Sequence, residues 1–257
     1  MGASDLPPDR AAHRAWLVSL TDLPPAGGVV VDLGCGRGED LRLLAARHTG
    51  PDVRLTGVDA SAAAIEAASA ASAADPRLAF RCAALDGPLP LADHSVDLAY
   101  SHNLLECLPD PGAFAREIAR VLRPGGQVVA GHWDWDSQLF DGADKARVRR
   151  LVAAYADWQQ AWMAHADGWM GRRLWGVFHA TGGFDGAAHA RVLTNTAYAP
   201  PWFGHENARA MGALVRRGLA SAVDYEQFLH EQASLAAAGR YFYSITGFAY
   251  VGRRRAA

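Results

Sequence analysis

The apolar positions of this chain change rhythm along its length. Residues 1–8 read as a loose start. From Asp9 to Leu20 they recur at helical spacing, with Trp16, Leu17 and Leu20 on one face, until Pro24-Pro25-Ala26-Gly27-Gly28 breaks the pattern. Val29-Val30-Val31 follows, an apolar β-branched run too short for a helix. Such a run bounded by glycines predicts a strand buried on both faces of a parallel sheet. The alternation then repeats, with helices predicted over 39–48, 61–74 and 113–122 and strands over 53–58, 78–82, 95–101 and 127–131. Strands alternating with helices across short loops predict a doubly wound α/β fold with helices on both faces.

After Gly131 the pattern becomes more helical. A long helix is predicted over 142–166, with Val148, Leu151, Tyr155, Trp158, Trp162 and His165 at spacings of three and four. Further helices are expected at 172–180, 205–219 and 225–238, the last opened by an Asp224–Gln227 capping box and closed by Gly239. Strands at 189–196 and 240–252 complete a mostly parallel, seven-stranded sheet carrying an α-helical cap inserted after strand five. The whole reads as a single domain over 1–257. Residues 10–132 form its cofactor-binding half, and 133–186 with 198–238 form a cap over the substrate.

Composition narrows the partners. The chain carries 27 acidic and 25 basic residues for a net charge of −2, and only Arg253–Arg255 concentrates positive charge. That gives a nucleic-acid partner little electrostatic support. Lys145 is the sole lysine, which with the many alanines reads as the coding bias of a GC-rich bacterial genome. Cys35, Cys82 and Cys107 are odd in number and widely spaced, so neither a disulfide framework nor a metal site is expected. With no apolar run of membrane-spanning length, the expected setting is the cytoplasm, as a monomer or homodimer.

The chemistry concentrates in Val31-Asp32-Leu33-Gly34-Cys35-Gly36-Arg37-Gly38-Glu39. Glycines at 34, 36 and 38 let the chain turn sharply off a strand and lay bare backbone against a ligand. The spacing is GxGxG preceded by an acid, unlike the GxGxxG dinucleotide fingerprint. Asp32 inside the turn would repel a pyrophosphate but suits a cation, such as an amino acid's ammonium or a sulfonium. Asp59 ends the second strand about twenty residues beyond the glycines, where an acid meets ribose hydroxyls.

These residues resemble motif I and the ribose-binding acid of the class I, Rossmann-like S-adenosylmethionine-dependent methyltransferases, in particular the methyltransferase domain 11 group. Leu89–Asp97, Ser101–Pro111 and Glu117–Gly126 are similar to that family's segments before strand four, after strand four and before strand five. The resemblance covers about residues 10–132. It implies S-adenosylmethionine as cofactor, with S-adenosylhomocysteine as product. Asp32, Gly34, Cys35 and Gly36 would line the methionine moiety, Asp59 would hold the ribose, and Ala60, Leu85 and Asp86 would sit by the adenine. Ser101 and Asn103, just past strand four, are assigned to the same site. The acid at 86 is displaced from the family's usual place.

The acceptor is expected beyond strands four and five, where His102, Asn103, Glu106 and His132-Trp133-Asp134-Trp135-Asp136 lie. If strand five continues, residues 132, 134 and 136 face one way and the tryptophans the other. His102 or His132 is a candidate general base, and Asp134 a candidate for orienting an amine or hydroxyl. The alternatives are a loop histidine near the methionine moiety, a buried core histidine, and a cap or turn acid. Glu106, Trp133, Trp135, Trp162 and Trp169 are expected at the substrate. The aromatic stripe is either packing or a lid for a planar or cationic molecule, hinged at Gly168 and Gly171. The function expected is methyl transfer to an O or N nucleophile of a small molecule, such as a specialised metabolite. The alternatives are a methyltransferase of RNA or protein, and a fold relative that binds the cofactor without transferring methyl.

Overall fold

The computed structural model describes residues 8–24, 26–161, 163 and 167–256. The loose start, Pro25, and the positions of Trp162 and His165 at the end of the expected long helix lie outside the described residues. A first helix, α1 (Pro8–Ser19), leads into β1 (Val29–Leu33), α2 (Glu39–Arg47), β2 (Arg54–Asp59), α3 (Ala62–Ser72) and β3 (Leu78–Cys82). Then come β4 (Val96–His102), a short 3-10 turn at Leu105–Cys107, α4 (Pro111–Val121) and β5 (Leu122–Phe140). Helices α5 (Lys145–Ala156) and α6 (Met170–His179), β6 (Phe184–Asn195), α7 (Phe203–Ala210), α8 (Gly212–Arg216), α9 (Ala222–Ala237) and β7 (Tyr243–Arg254) follow.

The strands form one seven-stranded sheet in the order β3-β2-β1-β4-β5-β7-β6. The first five are parallel, whereas β7 inserts antiparallel between β5 and β6, so the sheet is mixed. The order reverses between β1 and β4, and in a sheet of this kind a ligand binds in the crevice beyond the strand ends at that reversal. One face carries α1 and α2, packed through Leu17, Leu41 and Leu44 onto Val30, Leu55 and Leu98. The other carries α4 and α6, whose Phe114, Ile118, Leu174 and Phe178 meet Val128 and Tyr250. A third cluster joins α5, α7, α8 and α9 to the upper ends of β5 and β7 through Phe140, Val148, Leu151, Phe228 and Tyr243.

Several boundaries differ from the sequence reading, each for a physical reason. Strand β5 runs nine residues past Gly131, because β7 supplies ladder partners from Gln127 to Asp134 and again at Leu139 and Phe140. Helix α5 stops at Ala156, where Asp157 leaves helical geometry. Ser221 rather than Asp224 caps α9, its hydroxyl accepting from the Asp224 amide at 3.3 Å, while Gln227 receives a guanidinium N–H of Arg147. Helix α6 joins the sheet layer beside α4, so the helical region after β5 divides: α5 precedes α6 in the chain and packs with α7, α8 and α9, which lie between β6 and β7. Among the described residues no helix is long and apolar enough to cross a membrane.

Leu17 fixes α1, since its methyls fill the space above Gly131, where an added Cβ would come within 2.7 Å of them. Leu17→Ala empties a fully buried site and is expected to cost ~2–5 kcal/mol, read as a lower urea midpoint at unchanged slope.

Candidate functional site

β1 ends in Asp32-Leu33 and the chain turns through Gly34, Gly36 and Gly38 at φ of +77°, +51° and +74°, a region that costs a side-chain-bearing residue strain. The turn is clamped to β2: the Gly34 and Cys35 amides both donate to the Val58 carbonyl, at 2.8 and 3.1 Å. Asp59 completes the clamp, one carboxylate oxygen accepting from the Gly36 amide at 2.9 Å and the other from the Ser61 amide at 2.8 Å. The three glycines then differ in use. A Cβ at Gly34 would strike Leu104 of the loop after β4 and one at Gly38 would strike Phe80, but one at Gly36 would meet nothing within 4 Å. The open space of the turn therefore lies over Gly36. Cys35 is buried beside it, its thiol pKa pushed up first by burial and then by Asp32 and Asp59.

The charge of this corner is unbalanced. Asp32 is buried, one of its carboxylate oxygens has no hydrogen-bond partner, and the Ser101 hydroxyl on β4 is likewise buried and unpartnered. Burial, followed by the nearby charge of Asp40, pushes the Asp32 carboxyl well above the ordinary range. Burial would raise Asp40 too, but His102 and Arg14 outweigh it and hold that carboxyl low. The contacts are direct: His102 Nδ1 lies 3.0 Å from Asp40 Oδ2, and Arg14 pairs with Oδ1 at 2.7 Å. A buried acid without a direct counter-ion, an orphan hydroxyl and bare backbone over open space fit the cationic amino-acid end of S-adenosylmethionine. They would repel a pyrophosphate. Toward the adenine end, Leu85 is buried and Asp86 exposed, and both line a cavity of about 280 Å³ closed by Pro88, Phe114 and Arg116. Ala60 is exposed and does not line that cavity; its carbonyl accepts from the Cys82 thiol at 3.6 Å.

On the acceptor side, Asn103 takes a left-handed φ of +54° and bridges β4 to β5: its amide donates to the Gly131 carbonyl and its side-chain oxygen accepts from the Trp133 amide. Beyond it Glu106 is buried, accepting from the Trp135 indole at 3.4 Å, with His132 Nε2 3.8 Å from the same oxygen. His132 Nδ1 lies 2.7 Å from the Trp133 carbonyl, which can only accept. Nδ1 therefore carries the proton, and Nε2 presents a buried lone pair with no hydrogen-bond partner. Burial lowers His132 to about 4 and raises Glu106 to about 7, the Trp135 hydrogen bond opposing the latter. Glu106, Trp135, Tyr155 and Trp158 enclose a cavity of about 30 Å³ together with Met163 and Asp167.

The remaining expected residues separate. Trp133 and Trp135 both pack on Phe203 while Asp134 and Asp136 meet Arg172, but the alternation is broken at Trp135, whose indole converges with His132 on Glu106. Trp133 stacks on His13 of α1 at 3.7 Å between ring centres and packs on Phe203, so it forms a wall. Asp134 is fully buried with both oxygens held by the Arg172 guanidinium, at 2.5 and 2.6 Å, which leaves it no free side for a substrate. Trp169 stands apart, 46% exposed, donating to Asp136 and lying beneath Arg172 and Arg173. His102 points at Asp40, on the donor side. Arg14, Asp40, His13 and Asp167 were not singled out from the sequence. The one trace of them was the charged pair His13-Arg14 within the apolar spacing of α1.

With this geometry in place, comparison with known proteins settles the class. Residues 31–130 match the model of a family described as methyltransferase domain. The chain is 32% identical over 181 residues to a trans-aconitate 2-methyltransferase of Methylobacterium radiotolerans, covering 63% of this chain and 66% of that one. A putative methyltransferase of Bacillus halodurans superposes with a TM-score of 0.64 at 16% identity, covering 95% of this chain and all of that one. A geranyl diphosphate C-methyltransferase of Streptomyces coelicolor gives 0.56 at 17% identity, covering 95% and 79%. The chain spans between about two fifths and two thirds of the length of the first curated relatives it matches. It belongs to the class I, Rossmann-like S-adenosylmethionine-dependent methyltransferases, and S-adenosylmethionine is the cofactor of that class.

The unbalanced acid has a measurable signature. Asp32→Asn removes a buried charge, so the ligand-free protein is expected to melt higher. The same change removes a charge-assisted contact to the ligand's ammonium and is expected to weaken S-adenosylhomocysteine binding about 10-fold or more by calorimetry.

Proposed function

We propose that this protein transfers the methyl group of S-adenosylmethionine to an O or N nucleophile of a small molecule. The observation that carries this reading is Glu106: a carboxyl poised near neutrality, on the loop that follows the cofactor strands, inside a small aromatic cavity. That cavity of about 30 Å³ admits a small polar headgroup. Its walls come from the cap, and the chain's net charge of −2 offers a polyanion no attraction. The small acceptors named for the trans-aconitate and geranyl diphosphate enzymes support a small-molecule acceptor, the latter enzyme being named as methylating carbon.

When bound, the cofactor supplies a methyl group already activated on a sulfonium, so the protein must orient the acceptor and take up its proton. Asp32 and Ser101 would meet the methionine end, Gly36 would lie against it, and Asp59 would hold the ribose while keeping its grip on the turn. Leu85, with Ala60 and Asp86, would border the adenine. Glu106 is the proton acceptor in this reading. His102 is committed to Asp40, and His132 at about 4 is too weak a base, so its Nε2 lone pair orients a donor on the acceptor itself. Asp134 positions His132 and β5 through Arg172.

Calorimetry with S-adenosylmethionine is expected to show binding that Asp59→Ala abolishes; a wild type that binds neither donor nor product overturns the proposal. Incubation with labelled donor and a bacterial metabolite extract is expected to place label in a small-molecule fraction, and label in RNA or protein alone would overturn the acceptor class. A base must be deprotonated to act, so kcat/KM should rise with pH through about 7. In Glu106→Gln this limb should vanish, with kcat lower by ~10²-fold or more.

A further inference from the structure

Resting on the reading of Glu106 as the acceptor-side base, we infer that the acceptor is an amine, bound as its ammonium in a box of three aromatic rings and two carboxylates. The Trp135 and Tyr155 rings meet edge to face at 6.0 Å and 77°, and Trp158 leans on Tyr155 at 6.3 Å and 54°. Ring faces carry negative electrostatic potential, and an array of them set at angles is a recognised way to hold an ammonium. Glu106 and Asp167 close the same cavity, and no cationic side chain lines it among the described residues. An anionic acceptor would therefore face two carboxylates. Arg173, which borders the adjoining cleft, is already paired with Asp167 at 2.9 Å.

Size and access agree with this assignment. The inner cavity of about 30 Å³ takes a headgroup and no more. Glu106 and Asp167 also border an outer cleft of about 260 Å³ with Leu105, Met170 and Val177, where the apolar remainder of an amine can lie. The two carboxylates thus stand where the polar head leaves the outer cleft and enters the box.

The proton balance is simple. An ammonium cannot act as a nucleophile until one N–H bond breaks. The proton passes to a Glu106 carboxylate oxygen as an O–H bond, and the nitrogen keeps the electron pair. The groups facing Glu106 are consistent with that traffic: the Trp135 indole donates to the carboxylate form, and the neutral His132 Nε2, 3.8 Å away and outside hydrogen-bond range, brings no positive charge to compete with the ammonium. Asp167 raises its pKa together with burial, and Tyr155 and Cys107 lie near it as neutral groups whose own pKa values burial raises.

The test compares 2-phenylethylammonium with the near-isosteric neutral 2-phenylethanol, by indole NMR shifts, with and without saturating S-adenosylhomocysteine. The wild type is expected to bind the amine at least tenfold more tightly than the alcohol at pH 8. The ratio should fall toward one in Glu106→Gln and, independently, in Trp158→Leu, while both variants keep wild-type affinity for S-adenosylhomocysteine. Equal affinities in the wild type, or an unchanged ratio in both variants, overturn the inference. If S-adenosylhomocysteine binds but the cation is not preferred, the amine assignment fails alone. If the cation is preferred but S-adenosylhomocysteine does not bind, the methyl-transfer reading fails and the ammonium box stands.

Discussion

Three carboxylates, Asp32, Asp40 and Asp59, crowd the ends of β1 and β2 and the start of α2, and the described residues place a direct cationic partner, Arg14, against only one of them. Asp40 receives Arg14 and His102. Asp59 is satisfied by backbone amides of the turn it clamps. Asp32 is left buried with an unpaired oxygen. Burying such a charge costs the fold free energy, a deficit that the cationic ligand of the proposed site would relieve. The placement of α1, the left-handed glycines and the clamp on Val58 all serve to hold this arrangement together.

The acceptor side follows from a different constraint. Strand β5 outlasts its parallel partner β4 because β7 supplies a ladder on its other side, and that extension carries His132 and Trp135 up to Glu106. Its polar residues are buried only because a partner meets each: Arg172 for Asp134, the Trp133 carbonyl for His132 Nδ1, and Glu106 for the Trp135 indole. The cap helices then supply Tyr155 and Trp158. Donor and acceptor sites are thus built from two separately packed clusters that meet at the Asn103 bridge.

How much of this was legible in the sequence depends on whether the deciding contact was local. β1 read correctly because a parallel strand buried on both faces is written as an apolar run, as in Val29–Val31, whereas β3, an edge strand with no buried residue, was placed by the strand-helix alternation. The glycine turn and Asp59 were legible from spacing alone. The length of β5 was not: the apolar run ends at Gly131, and whether the strand continues through His132-Trp133-Asp134-Trp135-Asp136 is decided by β7, more than a hundred residues later, which pairs with it. Nor was Asp40, whose role depends on Arg14 and His102 arriving from elements on either side in the chain. Trp169 depends on a distant contact too: Arg172 and Arg173 over its ring lie within one helical turn, but Asp136, which takes its indole N–H, comes from β5.

The ring of His13 occupies the space that Gly247 leaves vacant on β7, where an added Cβ would come within 2.2 Å of it, and Trp133 of β5 covers its other side. α1 and β7 lie far apart in sequence, yet both are needed to close this wall. β7 also inserts into the middle of the sheet rather than at its edge. During synthesis the parallel core from β1 to β4 emerges complete well before β7 exists, and contacts at such separation are the slowest to form. The donor half of the molecule can therefore take shape first, and the acceptor wall is sealed in the last stage of folding.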